Sequence, residues 1–365
     1  LDIQKKYVIQ YIEKSEIHKN YNSNYIIESL VLNTYTNTVS KKKMFCKNIS
    51  ILDNISYMMN NYTSNINKQL IQPSNYNYNT FSKINSMENS AYVETLFSII
   101  GNHLYENELL PSMPILYGAS NGIIKQFKYD ITEEYYDFIN EKWFRKNIGK
   151  LFTLDLYTYS DSDSDSDSKS DNDNDNNNNN HSNESESDDD PNIHRTESYD
   201  EQIISDDSSD NDSILSNYDE CICNMKNVPV VSLFIEKLDV TFDKLLIHNN
   251  QIDYKVIRSA LFQIIFTLTY LQKHFNFIHN DLHVNNIMSI PTSKKFLYYK
   301  YNNKYFKVPT YGKIFKIIDF GRCTFRFKNK QYMNDVFSKY GEADGQYIYP
   351  KQVRYYNKDN DKKYD

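Results

Sequence analysis

Glycine is scarce: 8 in 365 residues, with none before Gly101. A Gly-x-Gly-x-x-Gly phosphate loop is therefore excluded from the first hundred residues, because its backbone N–H groups approach phosphates only where Cβ is absent. Either any nucleotide is covered differently or the chain lacks its first hairpin. Cysteine is also sparse. Cys46, Cys221, Cys223 and Cys323 are too few and too scattered for a disulfide framework. Cys221-Ile-Cys223 lacks the two-residue spacer of zinc pairs and has no second pair. All four read as reduced thiols of a cytosolic-type compartment. Long apolar runs are missing too. The greasiest stretch, Leu261–Leu271, contains Gln263 and Thr267 and falls short of a membrane span, and the start Leu-Asp-Ile-Gln-Lys-Lys has no signal-peptide core. No membrane partner is expected. A first residue of Leu rather than Met points to a fragment or trimmed product.

What is present is unevenly distributed. The formal net charge is −7, yet residues 161–220 hold 21 Asp and Glu against Lys169 and Arg195, a segment charge of −19. The rest carries 39 basic and 27 acidic residues, or +12. A basic body suits a nucleotide, an acidic peptide or nucleic acid, and charge alone does not choose. The Ser/Asp/Asn repeats have almost no apolar residues to offset ordering entropy, so a disordered acidic insert over 160–226 is expected. Heavy use of Asn, Tyr, Ile and Lys has the look of coding bias, so a single Tyr or Asn carries little weight.

Patterning outlines the ordered parts. Tyr7–Ile12, Leu30–Thr36 and Lys43–Lys47 read as strands separated by Asn-rich turns. Met87–Glu106 repeats apolar residues at threes and fours, as a helix does. Pro114–Gly118 reads as a strand ending in a turn, Asp130–Trp143 as a helical stretch and Leu151–Tyr159 as a strand. Val228–Glu236 is an apolar strand ending in Glu-x-Leu, and a helix is expected to begin at Thr241-Phe-Asp243. The broad stripe Ile257, Leu261, Ile264, Ile265, Leu268 and Leu271 predicts a buried helix over Tyr254–Phe275. Asn302-Asn303 between two aromatic runs signals a hairpin, and Ile314–Ile318 a strand.

Two stretches carry chemistry. Phe277-Ile-His-Asn-Asp281-Leu-His-Val-Asn-Asn286 and Lys316-Ile-Ile-Asp319-Phe-Gly321 each deliver a carboxylate from an apolar run to a loop. The spacing His-x-Asp-Leu-x-x-x-Asn, followed by Asp-Phe-Gly, matches the kinase signature set. Such a kit can hold Mg²⁺ on a phosphate chain and orient a hydroxyl towards it. Asp281 would orient the acceptor hydroxyl, and Asn286 and Asp319 offer oxygen ligands suited to a hard cation. A rival reading takes His279, Asp281 and His283 as transition-metal ligands.

From about residue 44 to 345 the chain resembles the serine/threonine protein kinases of large nucleocytoplasmic DNA viruses, within the protein-kinase-like superfamily. The resemblance rests on Asn280–Met288, Ile317–Gly321 and Asn334–Gly341. It implies an α+β, two-lobed fold with a β-rich small lobe, a mainly helical large lobe and the acidic insert. The expected divisions are 1–159 for the small lobe, 160–226 for the insert, 227–239 for its last strand and hinge, and 240–365 for the large lobe. It also implies ATP, Mg²⁺ and a protein substrate with a Ser or Thr hydroxyl, a cytoplasmic or virion location, and no specific nucleic-acid partner. Lys47 becomes the phosphate-neutralising lysine, Glu94 its partner carboxylate with Glu88 as alternate, and Glu236 and Leu238 the hinge against adenine. Two other readings remain: a small-molecule phosphotransferase of the aminoglycoside- or choline-kinase type, and a pseudokinase acting as a binding module. Asn280 replaces the usual Arg, so no cation is expected beside Asp281. His283 replaces the usual Lys, and the chain ends 46 residues after Asp319, so a truncated large lobe is expected.

Overall fold

The computed structural model describes residues 6–17, 23–62, 78–159, 193–196, 218–247, 253–337 and 343. They form an α+β protein with a β-rich N-terminal part. The chain divides into two compact units, Leu1–Phe127 with Met225–Asp365, and Lys128–Asn224.

The first unit opens with β1 (Tyr7–Ile17), β2 (Tyr25–Asn33) and β3 (Thr38–Ser50), an antiparallel series. The turn between β2 and β3 closes with Asn37 at φ +51°, a left-handed position that Asn tolerates. Short helix α1 (Asn54–Met58) is capped by Asp53, whose side chain accepts from Ser56 N. Helix α2 (Tyr78–Asn85) precedes α3 (Ser90–Glu106). Helix α3 starts three residues later than its apolar repeat implied, because Asn89 is the cap and accepts from Ala91 N. Gly101 sits where a Cβ would lie 2.4 Å from Met113 Cε, so the missing side chain admits that methionine. Strand β4 (Leu116–Asp130) does not turn at Gly118 as expected but runs on.

In the second unit, the expected helical stretch is two short helices, α4 (Tyr135–Phe138) and α5 (Lys142–Asn147). Strand β5 (Phe152–Tyr159) pairs with β6 (Ile193–Thr196). Phe144 fills this unit's interior between Tyr135 and Phe152. Strand β7 spans Glu220–Glu236. The expected insert therefore ended too late: Cys221, Ile222, Cys223 and Met225 are fully buried strand residues. Their burial outweighs the acidic composition that precedes them. Most of 160–217 lies outside the described residues.

Back in the first unit, β3 pairs with β7 in a register that sets Lys47 opposite Leu233. Then follow β8 (Val240–Thr241), α6 (Phe242–Ile247), α7 (Tyr254–Phe275), β9 (Ile287–Pro291), β10 (Phe296–Tyr301), β11 (Lys304–Pro309), β12 (Lys313–Ile317), β13 (Phe325–Phe327) and β14 (Lys330–Tyr332). Strands β8, β9 and β12 form one small sheet, β10 with β11 a hairpin, and β13 with β14 another. Beyond residue 240 the described residues divide about equally between helix and strand, against the expected mainly helical lobe; the Tyr/Lys alternation of 296–309 favours strands.

Helix α7 spans the predicted residues but buries a narrower face. Ala260, Ile264 and Leu271 are buried, whereas Leu261 and Ile265 are exposed. Polar residues complete the buried face: Gln263 Oε1 accepts from Phe315 N at 2.9 Å and anchors the helix to β12. The main core joins α3, α7 and β12 around Phe97, which contacts Phe277, Phe320 and Phe325 with ring centroids 4.6, 4.8 and 4.9 Å away. Each such ring contributes roughly 1.5–3 kcal/mol on burial. Among the described residues no helix is long and apolar enough to cross a membrane.

Candidate active site

Alternation along β3 sends Met44, Cys46 and Asn48 to one face and Phe45, Lys47 and Ile49 to the other. Lys47 Nζ lies 2.6 Å from Glu94 Oε1 and 2.8 Å from Asp319 Oδ1. Three distant segments thus meet at one ammonium group. Glu94 is buried because it shares the inner face of α3 with Phe97, Ser98 and Gly101. Asp319 follows β12 and adopts φ +61°, a left-handed conformation that Asp tolerates better than most side chains.

The charges stabilise one another. Burial works against the Lys47 cation, but Asp319 and Glu94 outweigh it and hold its pKa above the ordinary lysine value. Burial likewise works to raise Asp319, yet Lys47 and the Gly321 N–H hold it down at about 2. The Asp319 side chain is 43% exposed, opening into the cleft, so solvent tempers both effects. Gly321 serves by smallness rather than by a left-handed turn. A Cβ there would lie 3.3 Å from both Asp319 Oδ1 and Glu94 Oε2.

The second chemical loop is pinned to the first. An isolated bridge pairs Ile278 with Thr324, and buried His279 places Nε2 3.0 Å from Ile318 O. Asn280, at φ +61°, donates from Nδ2 to Arg322 O. Asn286 donates from Nδ2 to Asp281 O at 2.9 Å, and Ile318 N donates to Asn286 O at 3.0 Å. Asn286 and Asp319 therefore approach one another from two loops tied by backbone.

A cavity of about 690 Å³ is lined by Lys47, Glu94, Asn286 and Asp319, together with Ile235 to Val240 and others. Its volume falls within the roughly 300–1,000 Å³ of small-molecule sites. Asp281 stands outside this lining, joined to it through Asn286. Leu238 lines the cavity and is buried. Glu236 also reaches the wall, but its polar groups serve the fold: its N–H donates to Ile115 O, and its carboxylate accepts from Ile115 N and Lys316 Nζ, both at 2.8 Å.

Two features escaped sequence reasoning. Arg322 Nη1 lies 3.2 Å from Asp281 Oδ1, so a cation does stand beside Asp281 although Asn280 is not one. The signal was its place directly after Asp-Phe-Gly, a loop that the 278–324 bridge folds back onto the Asp281 loop. The other is Lys316, wholly buried, donating to Met113 O and paired with Glu236. Glu88, the alternate partner for Lys47, instead accepts Asp335 N through its backbone carbonyl. The transition-metal reading loses ground, since His279 is buried against Ile318 O and His283 Nδ1 accepts from Asn285 N. No cluster of three or more His, Cys, Asp or Glu among the described residues is placed to hold a metal. An oxygen-seeking cation fits better, with the Asn286 amide oxygen and the Asp319 carboxylate as hard donors.

These features define an α+β protein with a lysine–carboxylate cleft. No family model matches the chain. It is similar to a Dictyostelium discoideum protein described as a probable serine/threonine-protein kinase, 35% identical over 103 residues, covering 26% of this chain and 8% of that protein. It is also similar to an uncharacterized protein of Invertebrate iridescent virus 6, 33% identical over 104 residues, covering 24% of this chain and 17% of that protein. The chain thus spans less than a fifth of either relative. The first similarity points to a kinase-like relationship over a quarter of the chain.

Proposed function

We propose that the chain carries an ATP- and Mg²⁺-dependent phosphotransferase site of protein-kinase type, acting on a Ser or Thr hydroxyl. The observation that carries this reading is the meeting of Lys47, Glu94 and Asp319 at the cavity wall, with Asn286 beside them. Phosphoryl transfer asks a protein mainly to position groups and neutralise charge. Lys47, held cationic by Glu94, is suited to phosphate oxygens. Asn286 and Asp319 are suited to Mg²⁺, which supplies further charge neutralisation on the phosphates when bound. Leu238, with Ile235 and Val240, offers apolar surface for a base. Asp281, outside the cavity lining, would accept a hydrogen bond from an acceptor hydroxyl, and the Asn286 bond to Asp281 O supports its loop. The protein acceptor rests on the family resemblance and on the description of the Dictyostelium relative.

The Arg322–Asp281 contact favours a second reading, a weak enzyme or binding module in which the base is held by its own cation. Thermal shift of the full chain with ATP, with and without Mg²⁺, tests the site. A Mg²⁺-dependent shift that disappears in Asp319→Ala is expected; an undiminished shift in that variant would remove Asp319 from metal binding. Radiolabel transfer to protein then separates the readings. Asp281→Ala should lower transfer roughly 10²–10⁴-fold while ATP still binds. Binding without any transfer in the parent chain favours the module.

A further inference from the structure

The β10–β11 hairpin lies between the two chemical loops and plays no part in the proposed site. Its antiparallel register pairs Phe296 with Pro309, Tyr298 with Lys307 and Lys300 with Tyr305 on one face. The intervening residues Leu297, Tyr299 and Val308 face inward and pack with Phe262, Phe266 and Phe306. That packing, together with the left-handed Asn302-Asn303 turn, fixes which side looks out. The outer face is therefore set by the core rather than by chance exposure. On it Tyr298 is 72% and Tyr305 75% exposed. Lys307 Nζ lies 4.1 Å from the Phe296 ring centroid and Lys300 Nζ 5.4 Å from that of Tyr305. Across the strands Tyr298 thus faces Lys307 and Lys300 faces Tyr305, each exposed tyrosine opposite an ammonium group.

Charge narrows the choice of partner. Between Asp281 and Asp319 the sequence holds seven lysines and no Asp or Glu, and of these lysines only Lys316 is buried. An acid-free lysine stretch selects a polyanion. Exposed rings interleaved with the cations add flat surfaces on which bases stack, the combination used by sequence-tolerant single-strand binders. An acidic peptide would use the lysines but leave the rings idle. We infer that this hairpin face binds single-stranded nucleic acid, without reading its sequence. The expectation of no specific nucleic-acid partner is compatible with this, because phosphates and ring faces carry no sequence information.

Fluorescence anisotropy of the full chain with a labelled thymidylate strand of about 20 nucleotides tests the inference, a length exceeding the roughly 4–16-nucleotide sites of such binders. Tyr298→Ala and Tyr305→Ala should each weaken binding roughly tenfold. Lys300→Gln with Lys307→Gln should reduce the steepness of log affinity against log salt by about 1.4. All four side chains are exposed, and each variant should keep the parent melting temperature and Mg²⁺–ATP shift. Asp319→Ala should bind the strand as the parent does, so failure of the phosphotransferase reading and failure of this one are distinguishable. No saturable binding overturns the inference, as does binding indifferent to loss of both tyrosines. A polyglutamate peptide that displaces the strand at lower concentration than unlabelled thymidylate overturns it in favour of an acidic protein partner.

Discussion

Replacing Lys316 by Met removes one member of a buried pair while keeping the length of the side chain. Lys316 is wholly buried and the Glu236 side chain only 11% exposed. Burial lowers the Lys316 pKa, and Glu236 opposes that shift. Removing one partner of such a pair costs about 3–5 kcal/mol, because the other charge stays buried. Glu236 would keep its bond from Ile115 N, which limits the loss. Met113 O would lose its donor and the Tyr105 ring, 4.3 Å from Nζ, its cation, which adds to it. The expected destabilisation is about 4 kcal/mol. At 2–4 °C per kcal/mol for chains of a few hundred residues, the thermal midpoint followed by circular dichroism should fall by about 8–16 °C. Adding Glu236→Gln removes the stranded charge and retains an acceptor for Ile115 N, so the double variant should recover at least half of that loss. A single variant within about 1 kcal/mol of the parent would refute the reasoning. So would a double variant no more stable than the single.

Two further outcomes follow from the site. The Asp319 carboxyl, with an ordinary value near 3.9 in an unfolded chain and about 2 in the fold, contributes stability that is fully present above about pH 4 and lost as pH falls through about 2. The stability gap between parent and Asp319→Asn should therefore be constant near neutrality and close between those limits in acid-denaturation curves; a gap that widens on acidification contradicts the pairing. Gly321→Ala sets a methyl 3.3 Å from Asp319 Oδ1 and Glu94 Oε2, on the two carboxylates that pair with Lys47. It should cost about 1–3 kcal/mol and at least halve the Mg²⁺–ATP thermal shift, and an unchanged shift would free Gly321 of its spacing role.

Local pattern went furthest where one residue type had one job. Helix α7 and the β10–β11 hairpin follow from periodicity and from Asn302-Asn303, whereas the meeting of Lys47 with Glu94 was implied by the family resemblance alone. Partners set by tertiary structure were harder to read. Nothing in Glu236 announces that its carboxylate, though at the cavity wall, pairs with Lys316, 80 residues on. Arg322 reaches Asp281 only because the 278–324 bridge folds one loop over the other. The end of the acidic segment was misplaced because burial of Cys221 to Met225 depends on neighbours that composition does not reveal. Leu261 and Ile265 belong to the same apolar stripe as Ile264 but point away from the core, since a stripe does not state how much of its width a neighbour will cover.

Glu94 and Phe97 sit one turn apart on the same helix, one gripping the Lys47 ammonium and the other wedged among three phenylalanine rings. Withdrawing that carboxylate by swinging the helix outward would strip those rings of their packing, at a cost of several kcal/mol by the measure of a lost core aromatic. The cleft is therefore welded to the hydrophobic interior. An inhibitor or regulator would meet less resistance by blocking entry to the cavity than by prying the helix loose.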